Sequence, residues 1–170
     1  MRYKIGEKTT KNLKDAFAGE SQASRKYASF SKKALDEGNG QVAKLFKAAS
    51  SGEEIHAGNH LKAMKGVGST EENLNAAYSG ETEEIDNMYP EMVASAKEEG
   101  DTEAETSFTW AMNVEKEHQG LFKKASEQLG DNEAADYYVC GGCGHVNLSE
   151  APEVCPVCGG PKSGFELIGL

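Results

Sequence analysis

Glu53 and His56 stand three residues apart in "SGEEIHAGNH", and Glu115 and His118 repeat that spacing in "NVEKEHQG". The chain has four histidines, so half of them follow a glutamate by three positions. On a helix that spacing puts a carboxylate and an imidazole on one face, about one turn apart. Oxygen and imidazole nitrogen donors suit iron or manganese. A second set of donors lies at the C-terminal end, where Cys140, Cys143, Cys155 and Cys158 form two C-x-x-C pairs separated by eleven residues. Paired knuckles of this kind bind a metal through thiolate, and tetrahedral sulfur suits both iron and zinc.

The elements that must position these donors can be read from apolar spacing. Residues 10–37 form a first predicted helix, with Leu13, Ala16, Ala23, Tyr27, Phe30 and Ala34 in steps of three and four, and Glu20 occupying the missing place in that stripe. A second helix covers 40–65, with Val42, Leu45, Phe46, Ala49 and Met64 on its apolar side and Glu53 and His56 continuing it. Residues 70–80 fit a short helix or a connection. Residues 81–99 are helical, with Glu81 and Glu84 on the side of Ile85, Met88 and Met92 and a bend expected at Pro90. The fourth long helix opens at "GDTEAE", where Thr102 and Glu105 have capping-box spacing, and its stripe runs Phe108, Ala111, Glu115, His118, Phe122, Ala125 and Leu129.

Five glutamates and two histidines thus fall on inward stripes. Ionised carboxylates in an apolar core cost several kcal/mol even after relaxation. Two metal ions change that balance: the five carboxylates carry five negative charges, two ferrous ions bring four positive charges and two ferric ions six. Two Glu-x-x-His motifs with carboxylates from two further helices form the di-iron bundle pattern. Glu20 precedes Glu53 by 33 residues and Glu81 precedes Glu115 by 34, so the helix pairs are related by an internal repeat. Glu84 has no counterpart near Glu20. His60 lies four residues after His56, but Ala57 stands where a zinc protease would need its general base, so His60 reads as a packed or partly exposed residue. His145 reads as a surface turn residue.

From about residue 136 the chain becomes rich in Gly, Pro and Cys and loses helical period. The predicted domains are 1–135, helical, and 136–170, a small module of strands and turns. Some 35 residues bury too little apolar surface to fold alone, and a structural metal supplies the difference. The chain has 170 residues and a net charge of −10, so it offers no basic stripe for nucleic acid. No apolar stretch is long enough for a transmembrane helix, and "MRYKIGEKTTKNLKD" lacks the apolar run of a signal peptide. A cytoplasmic location is the expectation, in keeping with reduced thiols.

The C-terminal "YVCGGCGHV…CPVCGGPKSGFEL" resembles a rubredoxin-type iron module. The N-terminal set, with "GETEE…MYPEM" at 80–92 and "EKEH" at 115–118, resembles rubrerythrin, and the likeness covers essentially the whole chain. It implies a mainly α fold, a ferritin-like four-helix bundle followed by a small β-rich rubredoxin-like domain. It implies a di-iron centre held by Glu20, Glu53, His56, Glu81, Glu84, Glu115 and His118, with Glu53 and Glu115 bridging. Glu84 and His56 would exchange as ligands of one iron between oxidation states. Tyr27 and Tyr89 match tyrosines that hydrogen-bond to ligating carboxylates. A third iron, for which zinc can substitute, would sit in the four cysteines and carry one electron at a time.

The resemblance further implies a peroxidase that reduces hydrogen peroxide to water. Electrons would come from NAD(P)H through a separate reductase or rubredoxin, because the chain has no G-x-G-x-x-G fingerprint of its own. It implies a homodimer or higher homo-oligomer, in which the rubredoxin-like domain of one subunit approaches the di-iron site of the other, and favours an extended crossover through residues 66–80. Two other functions use part of the same equipment. A ferroxidase of ferritin type has the bundle but needs neither Glu84 nor the cysteine module, and a non-redox protein with a zinc ribbon would be colourless.

Overall fold

The structure is a computed structural model, and it describes residues 6–169. The chain divides into two units, Met1–Gly68 and Ser69–Leu170. No helix among the described residues is long and apolar enough to cross a membrane.

The first unit is a pair of long helices, α1 (Glu7–Asp36) and α2 (Gly40–Ala63). Gly38 turns the chain between them at φ 79°, a conformation that favours glycine. The two helices meet through small residues. Ala34, Ala43 and Ala57 are buried. The Ser50 hydroxyl donates to the Ser24 carbonyl at 2.8 Å, and Ser31 donates to the Ala43 carbonyl at 2.8 Å. This corrects the expected packed side of α2. Val42 and Leu45 are exposed, at 45% and 67%, while the contact stripe runs 43, 46, 50, 53 and 57. The steps are again three and four, so apolar spacing alone could not choose between two neighbouring stripes. Only small side chains let two helix backbones come close enough for serine to bond across. Glu53 belongs to this stripe, and Glu20 belongs to its partner on α1, which runs 20, 24, 27, 31 and 34.

In the second unit, α3 (Thr70–Glu83) runs into a five-residue π-helical segment, Glu84–Met88, and then α4 (Tyr89–Glu99). Residues 70–80 are therefore helix, and the extended crossover favoured by the family likeness is not found. The reason is local. Ser69 Oγ accepts from the Glu72 amide at 3.2 Å while the Glu72 carboxylate accepts from the Ser69 amide at 2.7 Å, a capping box that starts α3. The S-x-x-E signal was legible in the sequence at 69–72. The capping box expected at Thr102 is replaced by Asp101, whose side chain accepts from the Ala104 amide at 3.0 Å and opens α5 (Thr102–Glu127).

Pro90 sits at the second position of α4, so it can offer no N–H to the carbonyl four residues back. The helix widens just ahead of it, and the Tyr89 amide bonds to the Glu84 carbonyl. Single π-helical turns of this kind occur frequently at functional sites. Here the widened turn holds Glu84. Both α3 and α4 pack on α5, whose Val114 is 2% exposed.

The last residues form three short antiparallel strands, β1 (Tyr137–Cys140), β2 (Val146–Leu148) and β3 (Phe165–Leu167), in the order β2-β1-β3. Tyr138 pairs with Asn147 on one side and Leu167 on the other. This is the small β module that the loss of helical period predicts.

Candidate metal centres

Each helical unit brings together one carboxylate and one Glu-x-x-His motif. In the first, donor atoms of Glu20, Glu53 and His56 lie within 4.8 Å of one another. In the second, Glu81, Glu115 and His118 do the same. The internal geometry is equal in both: His56 Nδ1 is 2.8 Å from Glu53 Oε2, and His118 Nδ1 is 2.8 Å from Glu115 Oε2. The second group is the more enclosed, with the His118 side chain 25% exposed against 57% for His56. Gln119 Nε2 donates to Thr82 Oγ1 at 2.7 Å and ties α5 to α3 beside His118 and Glu81. No sequence signal marks that brace, because each partner is an ordinary helix-surface residue until the helices are placed.

The second group shows what its donors need. Burial lifts the Glu81 carboxyl, and the hydrogen bond and charge of Glu115 and the charge of Glu84 add to it, bringing it to about 7. Glu84 is also raised, by burial and then by Glu115, against the opposing pull of His118. Carboxylates this close must share a proton or a cation. A cation is the better fit, since a half-buried glutamate pair with an imidazole beside it matches the oxygen and nitrogen preference of iron. Glu84 is thus brought near Glu115 and His118, although it lies outside the set of donors within 4.8 Å. Tyr89 faces the same charges. Its phenol is held above the ordinary value by burial and then by Glu84, Glu115 and Glu81, so it keeps its proton.

A pH dependence follows for the metal-free chain. Folded Glu81 binds its proton more tightly than the unfolded residue, whose value is 4.5. Its contribution to stability is full below that value and is lost as pH rises through about 7. The thermal midpoint of the metal-free chain is expected to fall over this window, and iron loading should remove the fall. A flat midpoint in calorimetry of the metal-free chain would contradict the crowding of these carboxylates.

The four cysteine sulfurs also lie within 4.8 Å of one another. Cys140 Sγ is 3.6 Å from Cys158 Sγ, and Cys143 Sγ is 3.6 Å from Cys155 Sγ. Disulfide sulfurs would be about 2.05 Å apart. Four sulfurs each about 2.3 Å from a central metal would be about 3.8 Å apart, so these positions fit tetrahedral coordination. The two knuckles share one design. Gly144 and Gly159 follow the second cysteine of each at φ 87° and 75°, and their amides bond to the carbonyls of Cys140 and Cys155 at 2.9 Å. Gly142 and Gly160 leave room for sulfur: a Cβ at either would come within 3.3–3.4 Å of Cys158 Sγ. Burial opposes ionisation of Cys140, but the amides of Gly142 and Cys143 together with the hydrogen bonds of Cys158 and Cys155 outweigh it and bring the thiol down to about 7, ready to ligate.

Other sequence expectations meet the structure unevenly. The described contacts of Tyr27 are with the rings of Phe30 and Phe46, each at 6.2 Å. His60 is half-buried on α2 and outside the Glu20 group. His145 is not a surface residue: it is 5% exposed, with its ring hydrogen-bonded to Glu117. A glycine-rich knuckle looks exposed in sequence because nothing there shows the helix it packs against.

Comparison with known proteins agrees with this arrangement. Residues 11–126 match the rubrerythrin family model, and residues 138–166 match the model of the rubrerythrin rubredoxin-like domain. The chain is 34% identical to rubrerythrin-2 of Clostridium acetobutylicum, over 91% of this chain and 93% of that protein. It is 35% identical to rubrerythrin of Porphyromonas gingivalis, over 95% and 90% of the two chains. Among solved structures, fully reduced, all-ferrous nigerythrin matches with a TM-score of 0.58 and 31% identity, covering 98% of this chain and 89% of that one.

Proposed function

The chain belongs to the rubrerythrin family, and from that premise we propose that it is a di-iron peroxidase, reducing hydrogen peroxide to water with electrons relayed from NAD(P)H. The four cysteines form a rubredoxin-type iron site, and the two Glu/His groups are di-iron ligand groups. The observation that carries the peroxidase reading is Glu84. It is a fifth carboxylate, set in a π-helical turn beside Glu115 and His118, and the described residues of the first unit have no such turn.

In this proposal Glu20, Glu53 and His56 of the first unit and Glu81, Glu115 and His118 of the second would hold the irons. When bound, the irons supply the two electrons that, with two protons, convert one peroxide to two waters. The helices hold the donors on two rigid Glu-x-x-His faces. Glu84 and His56 would be the two variable ligands of such a centre, present at one iron in one oxidation state or the other. Tyr89 Oη keeps its proton and can donate it in a hydrogen bond to a carboxylate or to the substrate oxygen. The cysteine module receives electrons from an external reductase or rubredoxin, and its unbonded thiols fit the reducing cytoplasm.

The test is a choice of oxidant. Iron-loaded, fully reduced chain is mixed anaerobically with hydrogen peroxide or with dioxygen, and oxidation is followed by absorbance. Peroxide is expected to react at least about tenfold faster, a difference of about 1.4 kcal/mol in barrier. Equal rates, or faster reaction with dioxygen, would replace the peroxidase by a ferroxidase.

A further inference from the structure

The two helix pairs correspond residue by residue around their ligand groups. Glu20 corresponds to Glu81, Glu53 to Glu115 and His56 to His118. By that correspondence Ser21 stands in the place of Thr82, and Ala57 in the place of Gln119. The two hydroxyls behave alike: Ser21 Oγ donates to the Phe17 carbonyl at 2.7 Å, and Thr82 Oγ1 donates to the Tyr78 carbonyl at 2.8 Å. The other two positions differ. Ala57 is buried and has no polar side chain, whereas Gln119 Nε2 donates to Thr82 Oγ1 at 2.7 Å. The Thr82 proton is committed to Tyr78, so its oxygen accepts from Gln119, and two hydrogen bonds in series run from α5 into the backbone of α3.

This brace sits where the second ligand group needs one. Thr82 follows Glu81, and Gln119 follows His118. The charge of Glu115 on α5 is felt by both Glu81 and Glu84, and like charges facing one another drive packed helices apart. His118 has no second anchor: Nδ1 lies against Glu115, and Nε2 is buried with no partner among the described residues. A ligating histidine is ordinarily oriented through its far nitrogen, so here the placement of α5 itself must orient the ring. Gln119 lies on the far side of the ligands from the turn at Gly100, which joins α4 to α5. In the first unit the hydroxyl bonds that join the helices, Ser50 to the Ser24 carbonyl and Ser31 to the Ala43 carbonyl, lie between the ligands and the turn at Gly38. Past the ligands, Ala57 offers nothing to bond with, and His56 is the more exposed of the two histidines.

We propose that Gln119 is a positioning residue: its bond to Thr82 holds Glu81 on α3 against Glu115 and His118 on α5, so that the second ligand group takes its metal ahead of the first. The two groups present the same donor types, and the difference between them is how far the donors are held in place before a cation arrives. A group already assembled spends less of its binding energy on ordering its side chains. The inference rests on the reading of the Glu/His groups as metal ligands.

The experiment uses the full-length, metal-free chain with its thiols reduced, and zinc as the only metal. The four cysteines take the first equivalent, because thiolate is the preferred zinc donor. Further zinc is followed by nuclear magnetic resonance at the ring nitrogens of His118 and His56. In the native chain His118 should respond at about tenfold lower free zinc than His56, the lower end of the effect expected from groups that orient a ligand. Gln119→Ala, which copies Ala57, and Thr82→Val, which removes the oxygen, should each raise the zinc needed at His118 by about tenfold and leave His56 within about twofold. The Gln119→Ala/Thr82→Val pair should be no worse than either single variant, because both break one interaction. Thr82→Ser keeps the hydroxyl and should stay within about twofold of the native chain.

Simultaneous filling of the two histidines in the native chain, or filling of His56 first, overturns the proposal. So does an unchanged His118 response in Gln119→Ala, or a Thr82→Ser chain that behaves as Thr82→Val does. If neither ring responds to zinc, the reading of these groups as metal ligands falls, and the proposal with it. The peroxidase reading is decided separately by the choice of oxidant, since zinc carries no electrons.

Discussion

Cys155→Ser is expected to abolish the visible absorption of the ferric tetrathiolate and to lower NAD(P)H-driven peroxide turnover by about 10²-fold or more, because metal binding and folding of such modules are one event. Cys155 is 2% exposed and lies 3.6 Å from Cys143 sulfur. A serine oxygen there is a harder and weaker ligand, and the three short strands bury too little apolar surface to hold the knuckles without the metal. The helices α1–α5 do not depend on that sulfur, so far-ultraviolet circular dichroism should keep its helical signal. Chemically reduced Cys155→Ser chain should still consume one equivalent of peroxide at the native rate, since the Glu/His centre keeps its ligands. Native NAD(P)H-driven turnover in this variant would show that electrons bypass the module.

The second large effect is expected at Glu84. Glu84→Ala should retain two irons at the Glu/His centre, measured by metal analysis, and lose about 10²-fold in peroxide turnover, the scale seen when one electrostatic group is removed from an active site. Iron retention is expected because both proposed ligand groups, Glu20, Glu53 and His56 and Glu81, Glu115 and His118, remain. The loss is expected because Glu84 is the carboxylate that breaks the symmetry between the two helix pairs and sits where the helix is widened to admit it. Removing it also relieves Glu81 of one of the charges that raise it, so Glu81 should titrate lower in the metal-free variant. Unchanged turnover with two irons bound would make the fifth carboxylate structural. Loss of iron as well would make it an ordinary ligand.

Both variants rest on residues that the sequence singled out, and the reason is that ligand spacing is a local property. Glu-x-x-His selects one helical face, and C-x-x-C-G selects a knuckle with glycine at positive φ, without reference to any other element. The stripe around Glu53 was harder. The sequence assigned Val42 and Leu45 to the packed side of α2, and the structure gave that side to Ala43, Ser50 and Ala57. Hydrophobicity ranks large residues first, whereas close helix contact selects small ones, and the two criteria pick neighbouring stripes of the same period. The crossover through residues 66–80 was set aside by one capping box, Ser69 with Glu72, whose pattern could have been found.

By itself the sequence marked the candidate donors: seven Glu and His residues in register with apolar stripes, six of which the structure gathers into two groups, and four cysteines in two knuckles. These follow from periods of three and four and from charge balance, which need only the chain's own order. The tertiary structure alone decided which donors are crowded. It brought Glu84 near Glu115 and His118 through a π-helical turn, tied Gln119 to Thr82 across two helices, and buried His145 against Glu117. Burial, shifted protonation and orphaned nitrogens depend on atoms contributed by distant parts of the chain. No local pattern carries that information, and it is at those positions that the protein's chemistry is tuned.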